Sequence, residues 1–236
     1  MKILWIAPIT GTDPARLEQL KELLKKYAFP GTEVVVRKVT RGTESIESRL
    51  DEVYAAPAIL DEVQRGEKEG FDACIVGCAG DAGVAVAKDV ARIPVIGPLE
   101  ASIAVAQILG RRFVFLWTLP ERIRSVEERV ARFLPRSDFF IYPTHIPVLE
   151  MTKNVEHTIE TLVRIIRKSI EQDRVDTAVL GCLSMRGMGE RVQQKLNIPV
   201  VDPALAALTM AQSIVKMGLT QAKGAYPFPP PKKRFL

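Results

Sequence analysis

The phrase "IPVIGPLEA" at residues 93–101 returns as "IPVVDPALA" at 198–206. Ahead of each stands a Gly-Cys pair after a short apolar run: "FDACIVGCAGD" ends at 81 and "VDTAVLGCLSM" at 185. Two copies of one order (apolar run, Gly-Cys, helical stretch, Ile-Pro-Val phrase) constrain the fold more than any composition. They require two similar units of about a hundred residues each within a chain of 236.

The pattern inside each unit is strand alternating with helix. "KILWIA" reads as a buried strand. Asp13 offers an N-cap and Pro14 suits the first helical position. Leu17, Leu20, Leu24 and Tyr27 recur at helical spacing over 14–27. "TEVVVRKV" is a strand. Ser45 is expected to cap a helix whose Ile46, Leu50, Val53 and Tyr54 share a face, kinked or restarted at Pro57. "FDACIVG", "AGVAVAKDVA" and "PVIG" then read as strand, helix and strand. The second unit repeats the scheme: "RFVFLWT", "PERIRSVEERVARF", "DFFIYP", a helix over 152–173, "TAVLGC", "MGERVQQKL" and "PVVD". "ALAALTMAQSIVKMG" closes the folded part as a helix.

Such alternation predicts an α/β fold: two pseudo-symmetric lobes, each a parallel four-stranded sheet flanked by helices. In open α/β sheets ligands bind beyond the carboxyl ends of the strands. Cys78 and Cys182 both stand at such ends. If the lobes face each other, the two thiols enter one cleft from opposite sides.

Composition excludes several functions. With 47% hydrophobic and 26% charged residues the chain reads as an ordinary globular protein. No apolar run reaches the roughly 18 residues of a membrane span. The start lacks the features of a signal peptide, so a cytoplasmic protein is expected. Of the net charge of +5, the only cluster is Lys232-Lys233-Arg234, with no interleaved aromatic platform, which argues against nucleic-acid binding. Three cysteines make no disulfide framework. No C-x-x-C occurs, and His145 and His157 lie far in sequence from the cysteines, so no metal is expected.

A cysteine opening a helix has its thiolate favoured by unpaired amides and the positive end of the dipole. One thiolate can take a proton from one face of a carbon while a thiol opposite returns one to the other face. The product is the mirror image of the substrate, with the roles of the thiols exchanged. Cys74, inside its strand, reads instead as a small core hydrophobe.

On these residues the chain resembles the Asp/Glu/hydantoin racemase superfamily, and within it most the hydantoin and allantoin racemase branch. The likeness covers residues 1 to about 220. It rests on "PGTEV", "ESIESRLDE", "GCAGDAG", "IPVIGPLEAS", "LGCLSM" and "IPVVDPALAA". The resemblance implies that Cys78 and Cys182 are the two bases and that no cofactor is needed. It implies that Gly80, Asp81, Ser184 and Met185 shape the ligand cradle, with backbone amides receiving the developing enolate oxygen. Pro8 and Thr10 match the turn after the family's first strand, although "APITGT" replaces both of its usual asparagines by Ala7 and Ile9. Thr118 matches a family threonine and is either a ligand contact or the N-cap of the helix at Pro120.

Amino-acid racemases of the superfamily carry Asn-Thr after the first cysteine and Thr followed by an acid or histidine after the second. This chain has Ala-Gly-Asp and Leu-Ser-Met. A 5-substituted hydantoin or allantoin-like cyclic ureide therefore fits better than free aspartate or glutamate. Alternatives are an Asp/Glu racemase, a cysteine-dependent isomerase or decarboxylase of the same fold, and a non-catalytic two-lobed binding protein. The partner expected is a small-molecule substrate, with neither nucleic acid nor membrane, in a homo-oligomer. In the resembling family the helices after the Ile-Pro-Val phrases cross over to the opposite lobe. The expected division is thus 1–98 plus 203–221, 99–202, and a Pro-rich basic tail at 222–236.

Overall fold

A computed structural model describes residues 1–233; Arg234, the last member of the basic cluster, and the two residues after it lie outside the described residues. The chain divides into two compact units. One comprises Met1–Gly97 and the chain from Ala207 onward, and the other Pro98–Ala206.

The first unit is built on β1 (Lys2–Ala7), β2 (Glu33–Lys38), β3 (Ala73–Val76) and β4 (Val95–Ile96). All are parallel in the order β2-β1-β3-β4, with Trp5 opposite Val36 on one side and Ile75 on the other. The helices are α1 (Pro14–Tyr27), α2 (Arg49–Lys68) and α3 (Val84–Val90). Leu4, Ile6, Ile59, Val63, Cys74 and Ala87 join in one buried apolar cluster. Each aliphatic side chain removed from water in this way stabilises the unit by about 1.5–3 kcal/mol before entropy is counted.

Helix α1 starts as its sequence predicts: the Asp13 carboxylate accepts from the Arg16 amide at 2.9 Å, with Pro14 in the first turn. Helix α2 differs. Its cap is Ser48, whose Oγ accepts from the Asp51 amide at 3.1 Å, and Asp51 in turn accepts from the Glu47 amide at 2.9 Å. Ser45 instead donates to Glu47. The buried face is Ala55, Ala58, Ile59 and Val63, while Leu50, Val53 and Tyr54 are exposed. Pro57 neither breaks nor restarts this helix. The carbonyl that loses its donor there belongs to Val53, on the solvent side, where water can replace the missing amide.

The second unit repeats the plan with β5 (Phe113–Trp117), β6 (Phe139–Pro143), β7 (Thr177–Leu180) and β8 (Val200–Val201), in the order β6-β5-β7-β8, again all parallel. Helix α4 (Pro98–Leu109) packs against β7 and β8. A 3-10 turn at Pro120–Arg122 leads into α5 (Ile123–Val130). Helix α6 (Val155–Asp173) is capped by Asn154 and buries Ile159, Leu162 and Ile166. Helix α7 (Gly189–Gln193) is short.

Helix α8 (Pro203–Lys216) begins in the second unit and from Ala207 belongs to the first. There Gln212 Oε1 accepts from the Phe29 amide at 2.5 Å. The segment after α8 is docked on the first unit. Gln221 takes the place of a neighbouring strand at the edge of β4. Its Nε2 donates to Ala91 O and Ile93 O at 2.9 and 2.8 Å, and its Oε1 accepts from the Val95 amide at 3.2 Å. The Phe228 ring lies under Arg92 and Lys223 at 4.9 and 4.0 Å. An otherwise open strand edge is covered in this way. Among the described residues no helix is long and apolar enough to cross a membrane.

Candidate active site

Each sheet ends in the same construction. In the first unit the Gly77 amide donates to Ile6 O at 2.8 Å, which carries the β1–β3 pairing one residue past the strand. In the second the Gly181 amide donates to Leu116 O at 2.8 Å and does the same for β5–β7. The next residue in each is the cysteine. Both cysteines stand at the carboxyl end of a central strand, where a parallel sheet places its ligands.

A glycine is required before each cysteine. A Cβ on Gly77 would come within 2.5 Å of Trp5 Nε1 and 2.9 Å of Ile6 O. A Cβ on Gly181 would come within 2.6 Å of Leu116 O and 2.9 Å of Trp117 Cζ3. The two tryptophans of the chain thus back the two Gly-Cys pairs.

After Cys78 the chain makes a loop, not a helix. The Asp81 amide donates to Cys78 O at 2.9 Å, Asp81 takes φ +53°, Gly83 takes φ +73°, and α3 begins at Val84. Cys78 is therefore not at the helix start that its sequence suggested. Burial pushes its thiol upward, and the Asp81 and Glu52 carboxylates add to the rise, while backbone amides of Gly80 and Ala82 pull against it. The residue keeps some exposed surface, but its surroundings are dense enough for burial to prevail. The expectation of a depressed thiol is thus reversed here: desolvation of a thiolate outweighs two amide dipoles. Cys74 is fully buried in the core cluster, its thiol pushed by burial to about 12.

Cys182 does open a helical turn. It is the N-cap of a 3-10 turn at Leu183–Met185, and its Sγ accepts from the Ser184 amide at 3.4 Å. It is 8% exposed, so the amide and the sulfur meet in a nearly dry setting. The Met185 amide donates to Cys182 O at 2.9 Å. The Met185 side chain is buried in the core cluster of its unit, which also includes Cys182.

The remaining sequence-predicted residues fall at the same ends of the sheets. Pro8 and Thr10 follow β1, the strand beside β3; Thr10 donates to Thr43 O through both its amide, at 2.9 Å, and its hydroxyl, at 3.1 Å. Thr118 follows β5, the strand beside β7, and is 4% exposed. It is not the helix cap: Leu119 holds that position and makes no side-chain cap bond. Proline at 120 moves the cap one residue later than a threonine-led start would place it. The Thr118 carbonyl accepts from the His145 amide at 2.9 Å and the Thr144 hydroxyl at 3.2 Å.

Sequence reading missed one acidic residue, Asp202, which is buried beside the Cys182 loop. Its Oδ2 accepts from the Gly187 amide at 2.6 Å, and its Oδ1 from the Ala204 and Leu205 amides at 2.9 and 3.4 Å. Burial pushes its carboxyl upward, against those three amides and the attraction of Arg186. The signal was available: Asp202-Pro203 repeats the Asp13-Pro14 helix-start pattern.

Comparison with known proteins places this architecture. The profile of the Asp/Glu/Hydantoin racemase family matches residues 3–211. A hydantoin racemase of Pseudomonas sp. (strain NS671) is 31% identical over 235 residues, 99% of this chain and 94% of that protein. Allantoin racemase from Klebsiella pneumoniae superposes with a TM-score of 0.91 at 29% identity, covering 98% of this chain and 95% of that one. Allantoin racemase from Pseudomonas fluorescens does so with a TM-score of 0.90 at 30% identity over the whole of both chains. These matches define an isomerase of the racemase class. The chain belongs to the Asp/Glu/hydantoin racemase family.

Proposed function

We propose that the chain racemises a 5-substituted hydantoin or an allantoin-like cyclic ureide, without a cofactor, using Cys78 and Cys182 as an acid/base pair. The observation that carries this reading is the matched pair of Gly-Cys loops at the carboxyl ends of β3 and β7, in two sheets of identical strand order. The relatives named hydantoin and allantoin racemase support the substrate class. So does the absence of the amino-acid racemase pattern after each cysteine, where this chain has Ala79-Gly80-Asp81 and Leu183-Ser184-Met185.

The chemistry balances on the two thiols alone. One thiolate removes the proton on C5: the C–H bond breaks, an S–H bond forms, and the electron pair moves onto the adjacent carbonyl oxygen as an enolate. The other thiol then gives its proton to the opposite face of C5 and is left as a thiolate. C5 lies between a carbonyl and a ring nitrogen, which makes its proton more acidic than that of a free amino acid. A thiol held above its ordinary range, as Cys78 is, keeps its proton at neutral pH, gives it up less readily than a free thiol, and is the stronger base once ionised.

Gly80, Asp81, Ser184 and Met185 shape the loops that receive the ligand, and Pro8, Thr10 and Thr118 border them. The reading places the enzyme in the cytoplasm as a homo-oligomer.

The test is to follow the optical rotation of single-enantiomer 5-alkylhydantoins and of allantoin in deuterated water. Expected is decay to zero rotation with a mass gain of one deuterium and no ring opening. Rotation that decays no faster than without protein for every compound, or a change of mass by hydrolysis or decarboxylation, rejects the reading.

A further inference from the structure

We propose that Asp202 is a positioning residue for Cys182, tying the far end of the cysteine loop to the first turn of α8. The inference rests on the reading of Cys182 as a catalytic base. One carboxylate oxygen holds Gly187, which stands at φ +75° where the loop turns toward α7. The other holds Ala204 and Leu205, the unpaired amides of the α8 start. The loop that carries the thiol is therefore fixed at both ends. At one end Gly181 is hydrogen-bonded to β5, and at the other Gly187 is hydrogen-bonded to Asp202. Gly189 lets the two segments approach: a Cβ there would lie 3.2 Å from Asp202 Cβ.

The first unit reaches the same juncture from the opposite side. Gly97 occupies the position in "IPVIGP" that Asp202 occupies in "IPVVDP". The carboxylate comes from the cysteine loop itself: Asp81 Oδ2 lies 2.6 Å from where a Gly97 Cβ would be. Each unit thus sets one carboxylate where its cysteine loop meets the exit of its last strand, carried by the loop in one and by the strand exit in the other. A cap for α8 alone would not require the third bond to Gly187, nor the same placement reached from a different residue.

Two substitutions separate the tether from the cap. Asp202→Ser keeps a good N-cap for α8 but is too short to reach Gly187. Asp202→Asn keeps one acceptor oxygen and sets an amide donor against one of its former partners; two bonds at α8 outweigh one at Gly187. Both variants should unfold near the parent midpoint. A misplaced base costs about ten- to a hundredfold in rate, so kcat should fall by that factor, with KM changed less than about threefold. Iodoacetamide should label Cys182 faster than in the parent and Cys78 at the parent rate, because only the Cys182 loop is loosened. The inference is overturned if both variants keep the parent kcat and Cys182 labelling. It is equally overturned if the losses in kcat merely track losses in the unfolding midpoint. Should the parent racemise no hydantoin, the functional reading falls, and the labelling rates still decide whether Asp202 positions Cys182.

Discussion

Gly181 gives its side-chain space to the ring of Trp117, and its amide to the carbonyl of Leu116. Any Cβ would press on that carbonyl, at 2.6 Å, and on the ring. Gly77 stands in the same relation to Trp5 and Ile6. Overpacking against backbone is not relieved by a rotamer change. Gly181→Ala and Gly77→Ala should each cost about 1–3 kcal/mol in denaturant unfolding. Each should also cost more in racemisation than in stability, because the residue displaced next is the cysteine. An alanine variant with parent activity would mean that the Trp-Gly packing does not fix the thiol.

Burial of Cys74 predicts a pH dependence of stability. The folded state holds this thiol up to about 12, so it is neutral there while the unfolded thiol ionises in the ordinary range. Below that range both states carry the proton and Cys74 adds no slope. As pH rises from about 8.5 toward 12, stability falls by up to about 1.4 kcal/mol per unit. Tyr142, whose hydroxyl donates to Asp173 and is likewise pushed up to about 12, acts in the same direction. Cys74→Ala should flatten the alkaline decline without abolishing it. Urea midpoints for the parent and the variant at a series of pH values check this; parallel curves would reject it.

Much of this was legible in the sequence because it rests on local chemistry. Asp13-Pro14 announced α1, and the repeated phrases announced two similar parallel four-stranded sheets. What was not legible depended on choices between near-equal local signals. Ser45 and Ser48 are both plausible caps, and the selection of Ser48 is made by Asp51, one turn in, which binds back to the Glu47 amide. Pro57 looked like a break because its effect depends on which side of the helix loses an amide donor, and that side is set by tertiary burial. The Cys78 thiol was misjudged for the same reason. The run "GCAGDAGV" suggests a helix start, but Asp81 and Gly83 at positive φ postpone it, and desolvation then sets the direction of the shift.

Alkylation should rank the three cysteines. Cys78 keeps some exposed surface, Cys182 is 8% exposed and Cys74 is fully buried with the thiol near 12. Only thiolates react, and only where reagent arrives. Iodoacetamide should therefore label Cys78 first, then Cys182, and Cys74 last, with hydantoin slowing the first two. The Cys78 rate should still be climbing above the ordinary thiol range, since burial holds its ionisation back. Peptide mapping by mass spectrometry at several pH values reads this directly. Early labelling of Cys74 would contradict the packing of β3.

The last prediction tests the paired thiols themselves. If each serves as the base for one enantiomer, replacing either by serine removes one half of the relay, because a hydroxyl is far less acidic than a thiol. Cys78→Ser and Cys182→Ser should each lose racemisation by at least about a thousandfold, within the range that general acid–base groups contribute. Neither need lose proton abstraction. The remaining cysteine can take the C5 proton of its own enantiomer, exchange it with solvent and return it to the same face. In deuterated water each single variant should therefore incorporate deuterium into one enantiomer with retention of configuration, and the two variants should choose opposite hands. The double variant should incorporate none above background. Mass spectrometry after chiral separation resolves all of these outcomes. A single variant that racemises at the parent rate, or two variants that exchange the same enantiomer, would show that Cys78 and Cys182 do not divide the two faces of the carbon between them.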